Sequence, residues 1–120
     1  MNVLSGNIDD HNKNFSFMMA TDGVWHITPA YDFTFSVDTS APGYINRHCL
    51  TINNKNADIE RADLLQIAKR YNIKGAESII NKAVDVVSNY AHYAQLANIN
   101  EHWTNKIVEE IGYKIGVSNG

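Results

Sequence analysis

Two rhythms of apolar and polar positions divide the chain near residue 57. Before it, apolar residues come in short runs. Phe15 to Ala20 and Val24 to Thr28 are two of these, joined by Thr21-Asp22-Gly23. Asp-Gly between such runs predicts a β-hairpin. Pro29 ends the second strand, because it offers no N–H to a ladder. Residues 33–57 follow neither rhythm: Ser36 to Gly43 has loop composition, His48 to Ile52 suits a short strand, and Asn53-Asn54-Lys55-Asn56 reads as a turn. Beyond that point the apolar spacing is helical. Asp58 is placed to cap a helix running to about Tyr71, with Ile59, Leu64, Leu65 and Ala68 on one side. A second helix, about Gly75 to Ala97, carries Ile79, Ile80, Ala83, Val87, Tyr90, Ala91 and Ala94. A third, about Glu101 to Ile115, is capped by Asn100, stopped by Gly116, and turns Trp103, Ile107, Val108, Ile111 and Ile115 inward. A lone hairpin is marginally stable, so this one is expected to pack on the helices. The sum is a mainly α (α+β) domain.

Length and composition narrow the class. A chain of 120 residues is one domain, 1–120, large enough for a real core. No apolar run approaches the ~20 residues that cross a bilayer, and Met1 to Asn7 has neither a basic region nor an apolar core of a signal peptide. Met1-Asn2-Val3-Leu4 enters a polar loop almost at once, which suggests a piece of a longer protein. The single Cys49 fits a reducing, cytoplasmic compartment and suits a small buried apolar position. Charge is uneven. Residues 1–50 hold five carboxylates against two cations, a net −3, whereas residues 51–120 hold eight of each. Excess negative charge in the first part suits a cation site and argues against a broad nucleic-acid surface.

The chemistry lies in residues 7–32. Asp9 and Asn14 stand five apart, and Asp32 follows the predicted hairpin. Antiparallel strands return the chain beside its starting point, so Asn14 and Asp32 are expected to meet. Magnesium takes oxygen ligands, usually one or two carboxylates completed by phosphate oxygens and water. Asp9 then lies close enough to accept a proton from, or orient, an attacking hydroxyl. D-x-x-x-x-N is the spacing of a protein-kinase catalytic loop, and Asp32-Phe33 matches the start of D-F-G. Asp10, four residues from Asn14, is the rival base. In a plainer reading Asp10-His11 forms a capped turn, Lys13 is a solvated charge and Asp32 caps a turn after Pro29. His26, His48, His92 and His102 show no metal-ligand spacing and read as structural or surface groups.

The run Asp9-Asp10-His11-Asn12-Lys13-Asn14-Phe15-Ser16, a hairpin, then Trp25-His26-Ile27-Thr28-Pro29-Ala30-Tyr31-Asp32, resembles the C-terminal region of the HipA family. These are bacterial Ser/Thr kinases that act as toxins of toxin–antitoxin modules. His48 to Asn56 and Asp58 to Leu65 are also similar to the family. The lipid-kinase group shares the Asp, His and Asn spacing but not Pro-Ala-Tyr-Asp. The resemblance implies a protein-kinase-like C-lobe with a small hairpin after the catalytic loop and about three helices. It implies Asp9 as catalytic Asp, Asn14 and Asp32 as magnesium ligands, and His11, Lys13 and Tyr31 near the nucleotide phosphates or adenosine. It further implies Mg2+ and ATP as cofactors, and a serine of a translation factor such as glutamyl-tRNA synthetase as acceptor. The partner it implies is a HipB-like DNA-binding antitoxin, with DNA touched only indirectly.

A kinase also needs a phosphate-covering loop, a strand lysine and an adenine hinge. The seven glycines are dispersed, so no glycine-rich loop is present. The isolated chain is therefore expected to be inactive, its ATP-binding lobe lying elsewhere. Loop 33–48, after Asp32, is the candidate acceptor-docking segment. An apolar face should remain exposed where the other lobe sits, which favours a homodimer in concentrated solution. Two other classes remain. One is a non-catalytic remnant or stand-alone lobe that binds a partner. The other is a small metal-dependent hydrolase using Asp9, Asp10, His11 and Asp32, which needs a tighter ligand cluster.

Overall fold

A computed structural model describes residues 1–40 and 46–119, the last three as backbone. It is mixed α+β. Among the described residues five helices, α1 (Asn2–Ser5), α2 (Arg61–Arg70), α3 (Ala76–Ser88), α4 (Tyr90–Leu96) and α5 (Glu101–Asn119), accompany one two-stranded antiparallel sheet of β1 (Phe17–Met19) and β2 (Trp25–Ile27). A 3₁₀ turn, Asn12–Asn14, precedes β1. No helix among the described residues is long and apolar enough to cross a membrane.

The core gathers on α5, which touches α1, α2, α3 and α4. Leu4, Val87 and Ile111 are buried at its centre, with Ala83, Val84, Tyr90, Ile107 and Ile115 packed around them. Leu4 is 1% exposed, although it sits in what the sequence suggests is a polar entry to a loop. A four-residue helix has no periodicity to read; tertiary contact with α3 and α5 makes it. Gly6 closes α1 in the left-handed conformation, φ 71°. A Cβ there would meet the Phe35 ring at 2.8 Å, so the position needs glycine twice over.

The predicted helices form, with four differences. The N-cap of α2 is Glu60, not Asp58: Asp63 accepts from the Glu60 N–H at 2.9 Å and Glu60 accepts from the Asp63 amide, a reciprocal capping box. Asp58 has φ 48° and sits in the turn before it. The second predicted helix is broken at Asn89, whose Nδ2 donates to the Asp85 carbonyl at 2.8 Å and whose N–H reaches Val86 in a tightened turn. Gly116 does not stop α5, which continues to Asn119; glycine ends a helix by turning left-handed, and Gly116 stays helical. Asn100 does cap α5, its Oδ1 accepting from the His102 N–H at 2.8 Å. Finally, Ile79, Ala91, Trp103 and Val108 are exposed rather than inward. The buried stripe of α5 follows Ile107, Ile111 and Ile115, one turn beyond Trp103, which instead lies under the Lys106 ammonium at 5.3 Å.

The hairpin pairs Phe17 with Ile27, Met18 with His26 and Met19 with Trp25. Its three-residue loop has the Gly23 N–H bonded to Ala20 and Gly23 at φ 79°, the position that needs glycine. Contrary to expectation it does not pack on the helices. The strands contact each other and no α-helix, and all six residues are exposed. No strand forms at His48 to Ile52; Ile52 pairs only with Lys55, across Asn53 and Asn54 at φ 52° and 65°. That is the expected turn, of the mirror-image kind.

Candidate functional site

The segment after α1 is held from the far side of the hairpin. Asn7 is buried, and its Nδ2 donates to the Asp32 carbonyl at 3.4 Å. Ser36 Oγ accepts from the Ile8 N–H at 2.9 Å and the Asp9 N–H at 3.1 Å, and donates to Asn7 Oδ1 at 3.5 Å. The Ser36 N–H donates to the Gly6 carbonyl at 3.0 Å. Asn14 then closes the loop on itself: its Nδ2 donates to the Asp9 carbonyl at 3.0 Å, which leaves Oδ1 as the atom for a cation. The Tyr31 hydroxyl donates to the Lys13 carbonyl at 2.7 Å and sits 2.6 Å from Ser16 Oγ. The return strand is thus riveted to the 3₁₀ turn. Asp32 itself has φ 52°, an uncommon state that Asp tolerates and that surrounding contacts must hold.

This weave brings together residues far apart in sequence. Asp9, His11 and Asp32 each offer a ligand atom, and these atoms lie within 4.8 Å of one another. Asp9 and Asp32 are exposed, His11 partly so. Asn14 and Asp32 line one cleft of about 120 Å³ with Asn7, Ser16 and Tyr31. The donors that share the cleft fit magnesium in type: the Asp32 carboxylate and the Asn14 amide oxygen, with Asp9 beside Asp32. Ligands of one octahedral magnesium stand ~3.0 Å apart when adjacent and ~4.2 Å apart when opposite, so the atoms would have to draw closer to take the ion. Imidazole nitrogen is a poor magnesium ligand. His11 Nε2 lies 4.0 Å from Asp9 Oδ1, and its buried Nδ1 has no hydrogen-bond partner. The Lys13 side chain is exposed at the same turn.

Asp10, the rival base, faces the other way. It is buried, with one oxygen accepting from the Cys49 N–H at 2.9 Å and the Leu50 N–H at 3.3 Å, and the other 2.9 Å from His48 Nδ1. A carboxylate so occupied has no room for a hydroxyl substrate. His48, read from sequence as a structural or surface group, is its buried partner. Cys49 is exposed rather than buried, its Sγ 3.8 Å from Asp9 Oδ1. Partial burial, then the negative charges of Asp9 and Asp10 and the bond to Asp9, push its thiol pKa up. Ser36 and Asn7 have no sequence signal beyond being small and polar near the motif. Residues 41–45 of the loop expected to dock an acceptor lie outside the described residues.

Asn14 and Asp32 thus share one cleft, Asp9 and His11 stand beside Asp32, and Asp10 is turned away into its own bonds. A family model described as the HipA-like C-terminal domain matches residues 1–111, and the chain belongs to that family. No curated protein and no solved structure matches the chain.

Proposed function

We propose that this chain is the acceptor-orienting, magnesium-holding lobe of a HipA-like Ser/Thr kinase with a protein-kinase-like C-lobe. The observation that carries the reading is the convergence of Asp9 and Asp32 within 4.8 Å across 23 residues of chain. Asp9, exposed and pinned through its amide, accepts the hydrogen bond of the acceptor serine and takes its proton as the oxygen attacks. Asn14 Oδ1 and the Asp32 carboxylate hold Mg2+, which when bound neutralises charge on the β- and γ-phosphates of ATP. His11 and Lys13 present N–H donors toward those phosphates, and Tyr31 fixes the turn that carries them. Net negative charge in residues 1–50 favours cation entry.

The isolated chain lacks a phosphate-covering loop, so in this reading it is a half-site that acts when another segment delivers the nucleotide. The family further suggests a cytoplasmic protein, a serine of a translation factor as acceptor, and a DNA-binding antitoxin as partner. The test joins these residues to a nucleotide-binding lobe and follows transfer of radiolabelled γ-phosphate. Asp9→Asn and Asp32→Asn should each abolish transfer with the helical circular dichroism intact. Full activity in either variant sinks the assignment. Calorimetry on the isolated chain should find no tight Mg·ATP binding; micromolar affinity would overturn the half-site reading.

One observation favours a second reading, a non-catalytic lobe that binds a partner. The hairpin exposes Phe17, Met18, Met19, Trp25 and Ile27 on both faces, and a run of large exposed apolar side chains suits a protein contact. Loss of partner binding on Trp25→Ser, with transfer absent from the complete protein, would select it.

A further inference from the structure

We infer that Ser36 and Asn7 are positioning residues that set the separation of Asp9 and Asp32, and so the cation affinity of the site. The inference rests on the magnesium-site reading above. Ser36 lies on the return segment, four residues after Asp32. Its single oxygen accepts the N–H groups of Ile8 and Asp9 at 2.9 and 3.1 Å and donates to Asn7 Oδ1 at 3.5 Å. Asn7 in turn donates to the carbonyl of Asp32 at 3.4 Å. One hydroxyl and one amide therefore connect the backbones of both acids.

The geometry is economical. A serine hydroxyl has one donor and two acceptor sites, and all three are used here. Asn7 is 3% exposed and Ser36 partly buried, so water competes weakly for these bonds. The two acids themselves are exposed, and the contacts at the Asp9 tip, the Cys49 thiol at 3.8 Å and His11 Nε2 at 4.0 Å, are long. Their carboxylates repel each other, which opposes closure of the cluster. Asp32 moreover holds a left-handed backbone, φ 52°, that relaxes once released. The device thus acts on the backbone of the ligands, in the way outer groups orient metal-bound side chains. A magnesium site is demanding in geometry, so a small drift of one ligand matters more than it would for calcium.

The test uses Mn2+ alone, which replaces Mg2+ on oxygen ligands and is counted by electron spin resonance of the free ion. Wild-type chain, Asp32→Asn, Ser36→Ala and Ser36→Thr are titrated at one ionic strength. Asp32→Asn should weaken Mn2+ binding by more than tenfold. Ser36→Ala should weaken it by roughly tenfold, the scale of lost outer-shell support, and Ser36→Thr, which keeps the hydroxyl, should recover most of it. Wild-type affinity in Ser36→Ala, with Asp32→Asn impaired, overturns the positioning role and leaves the site standing. No Mn2+ uptake by the wild type, or none lost in Asp32→Asn, overturns the site itself and this inference with it. A second measurement needs no variant. By reciprocity, a cation that depends on Ser36 must tighten the bonds Ser36 makes. Saturating Mg2+ should slow hydrogen exchange at the Ile8 and Asp9 amides several-fold; unchanged exchange with Mg2+ bound also overturns it.

Discussion

The Asp10 carboxylate lies 2.9 Å from His48 Nδ1, and both side chains are buried. With the Cys49 and Leu50 amides it forms a four-group knot between the loop that carries Asp9 and the segment leading to α2. Asp10→Ala would leave the buried His48 ring and the Leu50 N–H without this partner, while the Cys49 N–H keeps the Ile8 carbonyl at 3.1 Å. Each stranded group costs roughly 1–3 kcal/mol, so the variant should lose about 3 kcal/mol of stability. Urea unfolding followed by circular dichroism checks this: the midpoint should fall with the slope unchanged. An unchanged midpoint would show that the knot adds nothing.

Asp63 is a second linchpin. Its carboxylate accepts from Lys55 Nζ at 2.8 Å and the Glu60 N–H at 2.9 Å, joining the 52–55 turn to the start of α2. The Lys55 bond first, then Glu60, hold its carboxyl pKa below the ordinary value. The unfolded chain therefore takes up this proton at higher pH than the folded one. The stabilisation is complete above the unfolded pKa, ~3.9, and is lost as pH falls through the folded pKa. Lys55, bonded to Asp63, is raised. Its share is complete below the unfolded lysine value and lost as pH rises through the folded one. Asp63→Ala should lose about 1–2 kcal/mol, the cap included, at neutral pH. It should also flatten the acid limb of a thermal-midpoint-against-pH curve.

How legible was this in the sequence? The hairpin and its Gly23 turn were legible because Asp-Gly between apolar runs is a local signal. Asn100 was legible as a cap for the same reason. Leu4 was not, since its burial depends on α3 and α5, seventy or more residues away. Trp103 and Ile79 fit their helical stripes, yet lie beyond the edge of what those helices touch; periodicity gives a face, not its extent. At the site, Asp9, Asn14 and Asp32 were singled out by type and spacing. Ser36 and Asn7 act through bonds across 25 to 29 residues, and Asp10's partners lie 38 to 40 away. Nothing local marks such pairs. The exposed hairpin departs from expectation because a sequence shows that an apolar surface exists, not which body covers it.

That exposure has a dynamic consequence. β1 and β2 are three residues each, exposed on both faces and supported by no helix among the described residues. Local opening there costs little, whereas opening at Val87 or Ile111 disrupts the core. In native-state hydrogen exchange the Met18 and His26 amides, the ladder-bonded pair, should exchange on the order of a hundredfold faster than those near Val87 and Ile111. Equal protection would mean that the hairpin is covered in solution, by a second copy or otherwise, and the concentration dependence of exchange would tell which.

Cys49 reports directly on Asp9. The thiol is exposed, but burial of part of it and the charges of Asp9 and Asp10 raise its pKa, and its S–H donates to Asp9 Oδ1 at 3.8 Å. The thiolate is the reactive form, so alkylation by iodoacetamide at about pH 8 should be slower than for an unperturbed cysteine and climb as pH rises further. Asp9→Asn removes one negative charge and the anionic acceptor. It should lower the thiol pKa and speed alkylation at that pH by about threefold. In the proposed site a cation on Asn14 and Asp32 lies beside Asp9 and offsets the same charge, so saturating Mg2+ should speed the wild-type reaction and act less on Asp9→Asn. Rates that ignore both the substitution and the cation would separate Asp9 from Cys49, and the cation from Asp9.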